Sequence, residues 1–171
     1  FLEKCDPLLA RVTLRNLYPA GREIVLLRDP RDALCSVLAF NKKRGYVSFG
    51  RESVQSDEDY VRWYTAPLTL LRDTLNAPHR PVAVLRYEEL VADPAGALRG
   101  LLQGLGLDAS DAVIAGMLES PATENLVFHR TTASPAASVG RWKSDLSPEL
   151  RAACRTHLDP LLKALGYPAT H

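Results

Sequence analysis

No stretch of this chain stays apolar for anything near the roughly 20 residues that a bilayer-crossing helix needs. No basic-then-apolar leader opens it either. Neither a membrane protein nor a secreted one is indicated. Cysteine is scarce: Cys5, Cys35 and Cys154 are odd in number and far apart, with no Cys-x-x-Cys spacing. That argues against a disulfide framework or a zinc site, and it points to a reducing, cytoplasmic compartment. The histidines, His79, His129, His157 and His171, show no metal-ligand spacing, so no metal is expected. Charge of one sign is lacking too. Lys and Arg number 21 against 20 Asp and Glu, a net charge of +1, so there is no general field for nucleic acid and any basic site must be local. Internal repeats and low-complexity tracts are absent.

What is present is an ordinary globular composition, 46% hydrophobic and 24% charged over 171 residues, the size of one domain. Its richness in Ala, Arg and Leu resembles a high-GC bacterial gene. The chain opens on Phe-Leu-Glu-Lys and not on Met, which reads as a piece of something longer. Leu8, Leu9, Val12, Leu14 and Leu17 form a helical stripe ended by Pro19 and Gly21. Ile24 to Leu27 is a short apolar run that predicts a strand buried on both faces. Asp29 then caps a helix with Pro30 at its first position, running to about Gly45. A polar loop leads to a helix from Asp57 to about Leu75, with a kink expected at Pro67. Pro81 to Leu85 predicts a second strand. A helix opened by Asp93-Pro94 follows, then one from Asp108 to Leu118. A long Pro/Ser/Thr/Gly loop spans residues 119 to 146, and a last helix runs from Ser147 to about Leu165. Strands alternating with helices predict an α/β class with a mostly parallel sheet flanked by helices. Two strands alone bury a sheet poorly, so further strands are expected.

The stretch "EIVLLRDPRDALCS" ends the first strand on five residues that include four charges. Ligands of open α/β sheets sit at the carboxyl ends of strands, where helices begin. A helix start with free N–H groups suits a phosphate there, and Arg28 adds a forked, charge-assisted contact. Ser36 lies about two helical turns in, and its hydroxyl reaches the same anion if Arg28 folds back along the helix. The plain alternative is that Arg28 pairs with Asp29 or Asp32, and Ser36 has no role. The spacing alone leaves both open.

"IVLLRDPRDALCSVLAF" resembles the 3′-phosphate-binding segment of the sulfotransferases that use PAPS (3′-phosphoadenosine 5′-phosphosulfate), in the places of Arg28 and Ser36. "VLRYEELVADPAGALRGLLQGLGL" is similar to that family's next segment, and the match implies that Tyr87 contacts the adenine. "SVGRWKSDLSPEL" resembles its late Gly-x-Trp-Lys segment, which implies that Gly140, Arg141, Trp142 and Lys143 belong to a loop closing over the nucleotide. The bland use of Trp142 is core packing, and of Lys143 solvation. The three segments occur in the family's order and cover most of the chain. The resemblance implies a phosphate-loop-like sulfotransferase fold, incomplete at the N-terminus, with residues 1–171 as a single partial domain. PAPS would be co-substrate and PAP (adenosine 3′,5′-bisphosphate) the product, without a metal. It departs from the family in two places. The Gly/Ser/Thr-rich loop that holds the 5′-phosphosulfate is not found. The basic stretch before the late Gly is replaced by Pro135-Ala136-Ala137, leaving Arg130 or Arg141 to supply that contact, or none.

For catalysis, "EKCDP" is similar to the Glu-Lys-Thr-Pro of bacterial members. This carries over Lys4 as stabiliser of the bridging oxygen, and Glu3 and Asp6 as candidates for the base that takes the acceptor's proton. Asp6 is also a good N-cap before Pro7. The expected reaction is sulfuryl transfer to a hydroxyl or amine acceptor, whether small molecule, carbohydrate or carrier-bound. A further partner would be a second copy in a homodimer or a missing N-terminal portion. The alternative is a non-catalytic nucleotide-binding or scaffolding segment, or a truncated pseudoenzyme. A small-molecule kinase would need Gly-x-x-x-x-Gly-Lys-Ser/Thr, which is missing. Trp63, Tyr64 and His129 could face an acceptor, but Trp63 and Tyr64 at helical spacing fit core packing better, and a lone His is more often structural. Lys42, Lys43 and Arg44 suit the negative end of the helix they close.

Overall fold

A computed structural model describes residues 11–76, 82–119 and 130–170. Helix α1 (Arg11–Leu17) leads into strand β1 (Glu23–Leu27), then α2 (Pro30–Arg44) and α3 (Asp57–Leu75). Strand β2 (Val82–Arg86) runs directly into α4 (Tyr87–Ala92), followed by α5 (Pro94–Gly104) and α6 (Asp111–Glu119). A short α7 (Trp142–Asp145), α8 (Pro148–His157) and α9 (Asp159–Ala164) close the described chain. The two strands pair in parallel, from Glu23 opposite Val82 to Leu27 opposite Arg86. The class is therefore α/β, helix-rich, with a two-stranded parallel sheet among the described residues.

The predicted helix starts are set by local chemistry. The Asp29 carboxylate accepts the N–H of Arg31 with Pro30 in the first turn, and Gly45 ends α2 at φ 72°, a left-handed conformation that costs a glycine nothing. Ser56 caps α3, Asp93 caps α5 and Ser147 caps α8 in the same way. α3 continues as one helix through Pro67.

Two expectations change, and one short helix is added. β1 is not buried on both faces. Its exposure alternates, and Ile24 and Leu26 are 41% and 59% exposed, so among the described residues that face of β1 is left largely uncovered. The "YEEL" after β2 is helical, with its own turn before Asp93. The final helix is two helices, broken at Leu158. Pro160 lacks an N–H and cannot continue an α8 ladder, but it fits the first turn of α9. The core lies between α2, α3, α8 and α9 on the covered face of β1. Leu27, Leu34, Tyr60, Val61, Leu68, Cys154, Leu158 and Leu162 pack there. No helix of the described residues is long and apolar enough to cross a membrane.

Candidate anion site at the end of the first strand

The charges at the end of β1 do four different jobs. Arg31 is fully buried and forms a forked ion pair with Asp29, its Nε donating to Oδ1 at 3.0 Å and its Nη2 to Oδ2 at 2.7 Å. Its guanidinium also lies 3.9 Å from the centre of the Trp142 ring, and Nη1 donates to the Thr170 hydroxyl. Asp29 thus serves both as helix cap and as counter-ion. Asp32, also buried, accepts the backbone N–H groups of Gly140, before α7, and of Trp142, at its start. Burial pushes its carboxyl above the ordinary range, against the opposing effect of those two hydrogen bonds.

Arg28 is left for something else. It forms no ion pair among the described residues. Instead, Nη1 donates to the Ser36 hydroxyl at 3.0 Å and Nη2 to the Ser138 carbonyl at 2.8 Å. The guanidinium lies 4.6 Å from the centre of the Tyr87 ring, and the Tyr87 hydroxyl shares a hydrogen bond of 2.9 Å with that of Ser138. Arg28 Nε is buried without a hydrogen-bond partner among the described residues. A buried charged donor left unmatched is costly, and such an atom calls for a specific explanation, of which an anion acceptor is one. Arg28 has folded back along α2, as the contact with Ser36 requires.

These groups line a cavity of about 390 Å³, walled further by Val37, Phe40, Phe49 and the 130–135 segment. It lies on the side of α2 and not at its end. The expected role of the helix N-terminus is therefore not seen, because Asp29 caps the first turn and Asp32 adds a second carboxylate there. The cations that line the cavity are Arg28 and Arg130. A larger groove of about 1060 Å³ between β2 and α5 is lined mainly by small and apolar residues, Gly96, Gly100 and Gly104 among them. It lacks the convergent donors that an anion requires.

The remaining sequence candidates divide. Tyr87 lines the cavity with Arg28 and Ser36. Arg130 also lines it, whereas Arg141 is committed to Asp145 at 2.7 Å and to the Thr131 hydroxyl at 2.8 Å. Trp142 is in the core, and Lys143 is exposed with its ammonium 5.9 Å from the Trp142 ring. Gly140 touches Asp32 and not the cavity. Trp63 stacks on Tyr60 at 5.4 Å and stays partly exposed. Glu3, Lys4, Asp6 and His129 lie outside the described residues, as does the start of the second predicted strand at Pro81.

Sequence reasoning missed Ser138, Asp32 and Phe49. Ser138 is one serine among several in a loop without periodicity. Phe49 holds a left-handed backbone at φ 60° and sets its ring edge-on to Phe40 at 5.6 Å. The Tyr60 hydroxyl donates to its carbonyl at 2.6 Å, which helps hold that strained turn against the cavity wall. No sequence signal announces a left-handed phenylalanine. Among the described residues, no group of three or more His, Cys, Asp or Glu side chains is arranged to hold a metal.

A family model described as "Sulfotransferase family" matches residues 6–111, more than half of the chain and including Arg28, Ser36 and Tyr87. No curated protein and no solved structure matches the chain significantly.

Proposed function

The chain belongs to the sulfotransferase family, and from that membership we propose that it takes part in transfer of a sulfuryl group from PAPS to a hydroxyl or amine acceptor. Sulfuryl transfer is the activity that the family supports in general. The donor, the acceptor class and the phosphate-loop-like fold are our reading. One observation carries the choice of donor: Arg28 and Ser36 meet at 3.0 Å in a cavity wall, with a buried guanidinium nitrogen still unmatched. That arrangement suits the extra ribose phosphate that separates PAPS and PAP from ordinary adenine nucleotides.

In this reading Arg28 and Ser36 hold the 3′-phosphate, with Arg28 Nε gaining the acceptor it lacks. Arg130, which lines the same cavity, is the better placed second cation, because Arg141 is already paired. Tyr87 offers a ring face beside the guanidinium. When bound, PAPS supplies the activated sulfuryl group. The protein's share is positioning and charge stabilisation, as in phosphoryl transfer. Lys4, with Glu3 or Asp6 as base, remains the proposed catalytic set. A cytoplasmic setting goes with this reading, since Cys35 and Cys154 are both free thiols.

Calorimetry tests the donor. PAP should bind at least about tenfold more tightly than 5′-AMP, a difference of roughly 1.4 kcal/mol. 3′-AMP should side with PAP. Equal affinity for PAP and 5′-AMP, or no binding of either, refutes the assignment.

A further inference from the structure

Asp32 is 1% exposed and yet meets no cation at hydrogen-bonding distance among the described residues. Taking a carboxylate out of water without a paired charge is expensive unless hydrogen bonds satisfy its oxygens. What it touches is backbone from the far end of the chain. Oδ2 accepts the N–H of Gly140 at 2.6 Å, and Oδ1 accepts the N–H of Trp142 at 2.9 Å. Gly140 stands at φ 72°, a left-handed conformation within this turn. An ionised carboxylate has two oxygens that both accept, so it can take both N–H groups at once. An amide of the same shape can take only one with its single oxygen.

The same segment supplies a wall of the anion cavity. Two residues before Gly140 stands Ser138, 5% exposed, whose carbonyl takes Arg28 Nη2 and whose hydroxyl meets Tyr87. Two residues after it, the Trp142 ring lies under the Arg31 guanidinium, which Asp29 holds. Gly140 and Trp142 are thus tied to α2 through Asp32 on one side of Ser138. The cavity depends on how far Ser138 stands from Arg28 and Ser36. Neither Asp32 nor Gly140 lines that cavity.

We propose that Asp32 is a positioning residue, a carboxylate latch that fixes the 138–142 segment against α2 so that Arg28, Ser36 and Ser138 stand at the spacing that takes the ribose 3′-phosphate. This rests on the PAPS reading above. The latch itself can be read without any nucleotide.

The test compares the wild-type chain with Asp32→Asn by amide hydrogen exchange without ligand and by calorimetry with PAP and 5′-AMP. Asn removes one acceptor oxygen and turns an NH₂ toward an N–H. Exchange at Gly140 and Trp142 should speed up by about tenfold or more, as for a lost hydrogen bond to a charged group. PAP binding should weaken about tenfold, while 5′-AMP changes by less than about twofold. Unchanged exchange at both amides overturns the latch. Faster exchange with unaltered PAP affinity overturns its link to the phosphate, and equal loss for both nucleotides shows general damage in its place. Wild-type protein that binds neither nucleotide refutes the donor assignment, and the exchange result then still decides the latch. Should Asp32→Asn fail to fold, PAP added to wild type must slow exchange at Gly140 and Trp142, and no slowing overturns the proposal.

Discussion

Replacing Arg28 by Lys keeps a positive charge and removes the fork. The guanidinium reaches Ser36 with Nη1 and the Ser138 carbonyl with Nη2, and still has Nε to offer. An ammonium is a compact point charge on a flexible stem and cannot hold both serines while meeting an anion with a second parallel bond. The Coulomb attraction for a phosphate survives, but one charge-assisted hydrogen bond and the pre-set geometry do not. Such a bond contributes about 1.5–3 kcal/mol. A net loss of about 2 kcal/mol corresponds to roughly thirtyfold weaker PAP binding. 5′-AMP, which lacks the group that Arg28 is held to contact, should change by less than about threefold. Arg28→Ala should lose more, because the charge goes as well. It also leaves the Ser138 carbonyl without its donor, which costs about 1–3 kcal/mol of stability. For a chain of this length each kcal/mol lowers the melting temperature by about 2–4 °C. Titration calorimetry on the three proteins, with a melting curve for each, is sufficient. The reasoning fails if Arg28→Lys binds PAP as tightly as wild type, or if PAP and 5′-AMP lose affinity in parallel.

Ser36→Ala should weaken PAP binding by about 1 kcal/mol, roughly fivefold, with little change in melting, since it removes one neutral partner of Arg28. Gly50→Ala should destabilise the protein more than Gly140→Ala in thermal melts. Both backbones are left-handed, costing an alanine about 1–2 kcal/mol, but a Cβ at Gly50 would also stand 2.2 Å from the Trp63 ring, whereas Gly140 has open space. Burial pushes the thiols of Cys35 and Cys154 up to about 12. In a Cys5→Ser background neither should react with Ellman's reagent at pH 8 until guanidinium is added; prompt native-state labelling would contradict the packing. The Asp145 carboxyl is pushed up by burial, but the Arg141 and Ser144 hydrogen bonds and the Arg141 charge outweigh that and hold it below its ordinary value. Its contribution to stability is therefore present above the unfolded value of about 3.9 and lost as pH falls through the lower folded one. Denaturant melts of Asp145→Asn should show a flatter acid limb than wild type; an identical slope would refute the pairing.

The sequence by itself determined most of the local structure and one half of the candidate site. Asp29-Pro30, Asp93-Pro94 and Ser147-Pro148 announce helix starts because caps act over two or three residues, and Gly45 announces a stop for the same reason. Arg28 and Ser36 could be linked in advance through the resemblance of their segment to a known family, since the spacing alone left pairing of Arg28 with Asp29 or Asp32 equally open. Only the tertiary structure decided how the four charges between residues 28 and 32 divide their work. Which partner each charge takes depends on groups brought from far along the chain: Ser138 for Arg28, Thr170 and Trp142 for Arg31, and the Gly140 and Trp142 backbone for Asp32. The exposed face of β1 was equally hidden, since an apolar run specifies that a strand forms, whereas what covers it is set by the elements packed alongside.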